Sequence, residues 1–427
     1  MKKTVIAGGG AAGIAAAVEA AKNGADTTLI EMDGGVGGDL FSGMPLLGAF
    51  TAKGVQISHG VLDEILDACR KIHPAGVIGP VCDYRTVVGL CIDPEILRLA
   101  VYRLLKQYNV KLLLNTMIVS ANVGRGILKN ITARSKNSEY ELPLDAAVDA
   151  TGGGYLTSMC GGKVFFGSEN KMFQPLSLVF RMCNVDYQKL LLHIRNHPED
   201  VLLCENSALP GDRQEAAELL YRHGLPYAAV SAESSLLAPA MNAKRIHQCT
   251  AAFITPTAPE RGEVCLNVTR NSGIDCADDS AVSGALPVLA EQVIDTAEFF
   301  RQEMPGFAQA SVSHIFHKCG VRESGRIDGE ETLLQDDVVA AAKCSDAVAS
   351  GCHHVDIHGC GKNQIRIPVR DGLAYDIPRG ALCPKGLKNV FAAGRCISSD
   401  RGANGSARVM GTCISTGQAA ARLAAEI

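Results

Sequence analysis

The chain has 427 residues, of which 47% are hydrophobic and 20% charged, with a formal net charge of −4. That length predicts two or three domains and a sizeable core, and the charge gives no general attraction to nucleic acid or anionic lipid. No run of 18 uncharged apolar residues occurs, so no spanning helix is predicted.

The chain opens on a strand, Lys2 to Ala7, then Gly8-Gly9-Gly10-Ala11-Ala12-Gly13, then an alanine-rich helix. A second strand, Thr27 to Glu31, ends in a carboxylate about 20 residues beyond the glycines, where a group that holds ribose hydroxyls is expected. Gly8 allows the tight turn, Gly10 lets a pyrophosphate approach the backbone, and Gly13 lets the helix lie close to the sheet. The helix start at Ala11 and Ala12 offers free N–H groups and a positive dipole end to phosphates. An acid at Glu31 favours a free ribose over a 2′-phosphate, hence FAD or NAD over NADP. Lys2 and Lys3 before small apolar residues also resemble a signal peptide, but a leader needs neither the glycine spacing nor the acid.

Gly34-Gly35-Val36-Gly37-Gly38-Asp39 follows as a loop through which backbone approaches a bulky group. A helix is predicted from Val61 to Ile72, and another from Asp93, an N-cap before Pro94 at the first helical position. Val110 to Leu114 reads as a buried strand and Ile118 to Ala133 as a hairpin turning at Gly124 and Gly126, with Ile118 placed among the cofactor contacts. The strand Ala146 to Ala150 runs into Thr151-Gly152-Gly153-Gly154. From about Cys160 to Ala374 the pattern changes to strand-like pieces (Leu176 to Arg181, Val264 to Val268) and amphipathic helices (Tyr187 to Asn196, Val282 to Arg301). The chain returns with Val390 to Arg395, a strand ending at Gly394, and closes on a helix beginning Gly411-Thr412-Cys413-Ile414.

Three separated glycine-ended strands converge on one site. The final helix places N–H donors where negative charge develops on a reduced flavin, which favours FAD over NAD. The expected fold is therefore α/β: a Rossmann-like FAD/NAD(P)-binding domain with a parallel sheet in three layers, residues 1–158 and 376–427, interrupted by an inserted α+β substrate domain, 159–375. The expected cofactor contacts are Gly8, Gly10, Ala11, Ala12, Gly13, Glu31, Gly37, Gly38, Asp39, Ile118, Thr151, Gly152, Gly394, Arg395, Gly411, Thr412, Cys413 and Ile414.

The chain resembles, over essentially its whole length, the FAD-dependent oxidoreductases grouped with heterodisulfide-reductase-A-like flavoproteins. The resemblance is carried by Val5 to Ile14, Asp93-Pro94-Glu95, Val110 to Thr116, Asn184 to Tyr187, Asn267 to Arg270, Gly320 to Ile327 with Gly329-Glu330, Val355 to His358, Val390 to Ser398 and Gly405 to Cys413. It implies a flavin enzyme of the glutathione-reductase type. Some relatives work with iron–sulfur clusters, for which this chain lacks closely spaced cysteines. Similar proteins tend to have Leu-Gly-Gly, a small residue and Thr where this chain has Val36-Gly37-Gly38-Asp39-Leu40. An unpaired Asp39 beside a flavin disfavours the anionic reduced ring; alternatively it faces water.

Flavin does the redox chemistry, so the protein must bind the substrate and move a proton. Arg322 and Arg326 are candidates to hold an anionic or carbonyl-bearing substrate, or else pair with Glu323, Glu330 or Glu331. His358 is the first choice for acid/base work against a packed core histidine, and Arg401 for a substrate carboxylate or flavin oxygen against a solvated loop arginine. Cys352, His353, His354, His358 and Cys360 are metal-ligand types, but a histidine-bearing loop reads better and no metal is assigned. Cys396 and Cys413 lack the spacing of the familiar disulfide reductases. The 16 scattered cysteines fit reduced thiols in a cytoplasmic enzyme.

The expected activity is hydride transfer between FAD and a small organic substrate, with an electron donor or acceptor unspecified and no membrane partner. The alternatives are an electron-transfer subunit serving an iron–sulfur partner, or a flavin-dependent tRNA-modifying protein, which the charge of −4 disfavours.

Overall fold

The structure is a computed structural model, and it describes residues 1–168, 172–360 and 363–427. Strand β1 (Lys3–Ala7) leads through the glycine turn into helix α1 (Ala11–Lys22) and strand β2 (Asp26–Ile30). Five parallel strands form the first sheet in the order Val390–Ala392, Ala146–Asp149, β1, β2, Lys111–Leu113. The strands Ala146–Asp149 and Val390–Ala392, and β1 after Lys3, are buried on both faces and run nearly continuously apolar.

Alternation splits each strand between two cores. Ile6, Leu29, Val148 and Phe391 face α1 and the last helix, Met410–Glu426. Val5, Ala7, Ile30, Ala147 and Val390 face the other way, toward an antiparallel meander of Thr116–Gly124, Ile127–Ser135 and Glu139–Pro143. The result is three layers: helices, parallel sheet, meander. The helix at Pro94–Gln107 starts as the sequence predicts, with the Asp93 carboxylate accepting from the N–H groups of Glu95 and Ile96.

A second sheet is antiparallel, in the order Ala228–Ser231, Ala251–Ala258, Glu263–Asn267, Phe180–Cys183, Ser311–Ile315. One of its faces supplies Phe180, Met182, Ala252, Ile254, Val264 and Leu266 to a separate core with the helices Tyr187–Asn196, Arg213–His223 and Asp279–Glu303. That core draws on residues between Leu176 and Ala310. Leu333, Val338, Val355, Val369, Tyr375, Ile377 and Leu382 instead pack into the core of the first sheet's helical face. The chain thus rejoins the first core some forty residues before the expected return at 376.

The second sheet's other face looks at the first part of the molecule. It carries Phe253, Thr255, Thr257, Glu263, Cys265, Asn267 and Arg181, so it is both largely buried and polar. Met44 packs on it beside Cys265, and the hairpin of Val77–Cys82 and Val88–Ile92 meets it at Phe253 and Tyr227. Ion pairs stitch the two parts: Arg181 to Glu95 (2.7 Å), Arg261 to Asp93 (3.0 Å), Arg85 to Glu205 (3.0 Å) and Lys318 to Asp33 (2.7 Å).

Candidate active site

The glycine turn builds a cradle. Gly8 has φ +97° and donates its N–H to the Ile30 carbonyl at 2.8 Å, closing the turn between β1 and β2. A Cβ on Gly13 would land on the Gly8 carbonyl oxygen, so the helix lies as close as a glycine allows. The space a Cβ on Gly10 would enter is open, and Gly10 caps α1 with no side chain. The first N–H groups of the helix, at Ala11 and Ala12, therefore face a place where an anion can sit. Glu31 is buried beside this turn, its carboxylate accepting from the N–H groups of Gly9 (2.6 Å) and Asp33 (2.9 Å).

The Gly37–Gly38 segment lies against the same turn, with the Gly37 N–H donating to the Gly9 carbonyl at 2.7 Å. Asp39, partly buried, is within electrostatic reach of Arg322 and Cys413. On the far side, Arg395 Nε donates to the Gly152 carbonyl (2.8 Å) and Ser324 Oγ (3.1 Å), and Arg395 Nη1 to the Val321 carbonyl. Thr151 Oγ1 donates to Asp149 at 2.7 Å, and Gly394, at φ +77°, donates its N–H to Thr416 Oγ1 at 3.0 Å. At the last helix the Gly411 N–H is taken by the Leu47 carbonyl (2.8 Å) and the Cys413 N–H by that of Val409 (2.9 Å), while Ile414 is core. Thr412 Oγ1 is buried without a partner among the described residues. Burial pushes the Cys413 thiol up to about 12, which makes it an unreactive thiol. Ile118 packs with the meander under the parallel sheet, on a strand whose first residue, Thr116, donates its N–H to the Glu31 carbonyl at 3.0 Å.

Where the two parts of the molecule meet, arginines gather. Arg270 and Arg322 are both buried, and their Nη1 atoms share Ser177 Oγ as acceptor at 3.0 and 2.7 Å. They also share Asn267 Oδ1, at 3.0 and 3.3 Å. Burial pushes the Arg322 guanidinium well below its usual range, and the charges of Arg270 and Arg408 push the same way. Arg408 reaches the Asp356 backbone carbonyl at 3.2 Å and its carboxylate at 3.8 Å. The Nε atoms of Arg270 and Arg408 are buried without a partner among the described residues.

His358 stands in this cluster. Its Nε2 bonds the Asp356 carboxylate at 3.0 Å, and its backbone N–H donates to Gln174 Oε1 at 3.1 Å. Its Nδ1 is buried without a partner among the described residues. Burial drives its pKa down to about 3, with Asp356 opposing and Arg322 and Arg270 reinforcing the shift. Burial alone would raise the Asp356 carboxyl, but its histidine and arginine neighbours hold it well below the usual range. At neutral pH the pair is therefore a carboxylate and a neutral imidazole.

Arg326 and Arg401 go elsewhere. Both end on Glu323, which is fully buried: Arg326 Nη1 at 3.3 Å, Arg401 Nε at 2.9 Å and Nη2 at 3.0 Å. The Gln174 N–H donates to the same carboxylate at 3.1 Å. His353 and His354 stack at 4.0 Å, and burial keeps both neutral, His353 at about 4. Among the described residues no group of three or more His, Cys, Asp or Glu side chains is arranged to hold a metal ion.

Arg270, Arg408, Asn267, Ser177 and Asp356 join Arg322 and His358 in this cluster, and composition and spacing do not single them out. Asn267 carried a signal: in the buried strand Glu263–Asn267 the odd positions Glu263, Cys265 and Asn267 alternate with Val264 and Leu266. A buried strand with one polar face needs something polar opposite that face.

A glycine turn feeding a helix start, with a buried acid beside it, is the arrangement expected of a dinucleotide-binding fold. The family of FAD-dependent oxidoreductases matches residues 4–426, and the chain belongs to it. No curated protein matches the chain. Among solved structures it is similar to a geranylgeranyl bacteriochlorophyll reductase-like protein from Thermoplasma acidophilum, at 12% identity over 98% of this chain and 75% of that one, TM-score 0.44. It is also similar to a variant of the flavin-dependent brominase Bmp2, at 12% identity over 100% and 81%, TM-score 0.47. The myxobacterial halogenase CndH is similar at 11% identity over 100% and 76%, TM-score 0.45.

The enzyme uses FAD, and the cradle fits it: open space above Gly10 at an uncapped helix start for the pyrophosphate, and Glu31 beside it for the ribose. No helix among the described residues is long and apolar enough to cross a membrane.

Proposed function

We propose that this FAD-dependent oxidoreductase exchanges hydride with a small substrate bearing a carboxylate, held by Arg270, Arg322 and Arg408. The observation that carries this reading is the excess of buried positive charge. Among the described residues Arg408 is the one of the three guanidiniums that pairs with a carboxylate, Asp356, while Asp39 and Glu323 act on Arg322 and Arg408 without bonding them, and Arg270 and Arg408 each keep an Nε–H without a partner. Buried charge is tolerated only when paired, so a bound anion completes the cluster. Arginine is the residue suited to a carboxylate, through charge-assisted and often bidentate bonds.

FAD supplies the hydride acceptor or donor when bound. The protein's part is to hold the carboxylate, to exclude water between the polar sheet face and the first domain, and to move a proton at His358. Arg326 and Arg401 act at one remove in this reading, fixing Glu323 and through it the Gln174 backbone that leads to His358. In this reading the part of the inserted segment built around the second sheet supplies the substrate side, the flavin side follows the heterodisulfide-reductase-A-like pattern, and the electron partner lies outside this chain in the cytoplasm.

The test is a titration of the yellow holoenzyme with short hydroxy, keto and unsaturated acids, followed by flavin absorbance. Acids are expected to perturb the spectrum and matched alcohols or amides are not. Arg322→Met is expected to weaken binding at least tenfold, the loss of a charge-assisted hydrogen bond of about 1.5–3 kcal/mol, with FAD retained. Equal responses to acids and amides would overturn the reading.

A further inference from the structure

Four observations converge on His358. Its Nε2 is committed to Asp356, so the atom left to accept a proton is Nδ1, which has no partner among the described residues. Gln364, on the neighbouring strand, bonds Asp356 at 2.6 Å and holds that carboxylate in place. Arg322 and Arg270 are the cations that act on the imidazole. Behind Asp356 stand Arg408 and His354, and His354 in turn feels Arg85 and Arg366. Whatever neutralises Arg322 and Arg270 must therefore change the proton affinity of His358.

We propose that binding of a carboxylate between Arg270 and Arg322 raises the proton affinity of His358 Nδ1, so that the enzyme acquires a usable acid/base only when its substrate is in place, with Asp356 as the positioning residue that fixes the tautomer. This rests on the carboxylate reading above. In the empty cluster the histidine is too weak a base to hold a proton near neutral pH. Burial is the largest cause of the weak basicity, and a bound anion acts on what the two guanidiniums add to it, by cancelling their repulsion in a low-dielectric setting. The event is proton transfer alone: an N–H bond forms at Nδ1, solvent or buffer gives up the proton, and nothing is oxidised or reduced. It is also reciprocal, since an anion that strengthens proton binding must itself bind more tightly when the proton is present.

The measurement is calorimetric titration of the holoenzyme with methanesulfonate, an anion that stays ionised, and with acetate, between pH 5 and 8 in buffers of different ionisation enthalpy. The expected result is proton uptake that grows as pH falls below the ordinary histidine value of 6.5. Affinity is expected to rise by up to about tenfold per pH unit inside the window between the free and bound pKa values. His358→Gln is expected to bind the anion with a flat pH profile and no uptake. Asp356→Asn is the second variant, expected to lose uptake because the carboxylate that steadies Nε2 is gone. Anion binding without uptake, or uptake unchanged in His358→Gln, overturns this proposal and leaves the carboxylate reading intact. Failure of both anions to bind overturns the two together.

Discussion

A Cβ on Gly13 would meet the carbonyl oxygen of Gly8, while the space above Gly10 stays open. Two glycines three residues apart therefore do opposite work: one brings helix and sheet together, the other keeps a surface clear. Gly13→Val is accordingly expected to displace α1 and to yield protein that purifies without FAD, checked by the ratio of flavin to protein absorbance; a fully yellow variant would count against this account. These roles were legible in the sequence, because the spacing of Gly8, Gly10, Gly13 and Glu31 admits few other uses. The arginine cluster was legible only in part. Arg322 and His358 stood in motifs rich in chemistry, but Arg270 and Arg408 come from segments 138 residues apart, and no local pattern announces that they meet. Arg326 shows the converse. Four residues from Arg322, it would share a face with it only in a helix, yet Gly325–Ile327 is a strand, and its guanidinium takes the other course open to it and turns to Glu323. Spacing could not decide that, since a period of 3.6 has meaning only once the helix is known.

The pairing of α1 with the last helix dominates the helical layer. The two cross so closely that a Cβ on Gly417 would strike the Ala12 carbonyl oxygen. Gly417→Val is expected to destabilise by about 1–3 kcal/mol, the usual cost of overpacking, read as a lower denaturant midpoint with unchanged slope. The strain falls at Ala12, next to the cradle, so weaker FAD retention is expected to accompany it. Helices of this kind were readable ahead of the structure because each carries its own signals: Asp93 and Pro94 start one, and Asp186, whose side chain accepts from the Lys189 N–H, starts another. The second sheet was harder. Its strands are short and several are buried on both faces, so the expected strand at Leu176 to Arg181 appears as Phe180–Cys183, with the preceding residues in extended bridges. Sheet register depends on partners far away in sequence, and these cannot be read locally.

At the scale of the whole molecule, the two parts meet through ion pairs as well as two small apolar clusters. Glu263 lies on the second sheet's side of that contact and holds the two arginines that cross it, Arg181 at 2.9 Å and Arg261 at 3.6 Å, while Thr257 at 3.1 Å and Ser313 at 2.9 Å also bond its carboxylate. Burial raises its carboxyl, but the arginines and Ser313 outweigh this and leave it below its ordinary value of 4.5. A folded-state pKa that is depressed gives stability that is present above the unfolded value and is lost as pH falls through the folded one. Glu263→Gln is therefore expected to be less stable than the parent at neutral pH, with the gap narrowing below about pH 4.5, as measured by urea unfolding across pH 3–7. A gap that stays constant with pH would show that the carboxylate's charge is not what matters. The sequence could not place the seam. The inserted segment reads as continuous from 159 to 375, whereas Leu333 to Leu382 already packs with α1 and the last helix. Composition does not change at that point; only the core to which the apolar residues belong does.

The short segment from Gly37 to Gly43 touches the Gly9 turn at one end, through the Gly37 N–H, and the polar sheet face at the other, where the Cys265 thiol bonds the Ser42 carbonyl and Gly43 abuts Arg181 and Thr257. It is a tie-rod with one anchor in the cofactor cradle and one in the wall of the substrate chamber. A protein wired this way is expected to loosen at the seam when it loses its flavin, read as faster backbone hydrogen exchange across Gly37 to Gly43 in the flavin-free protein.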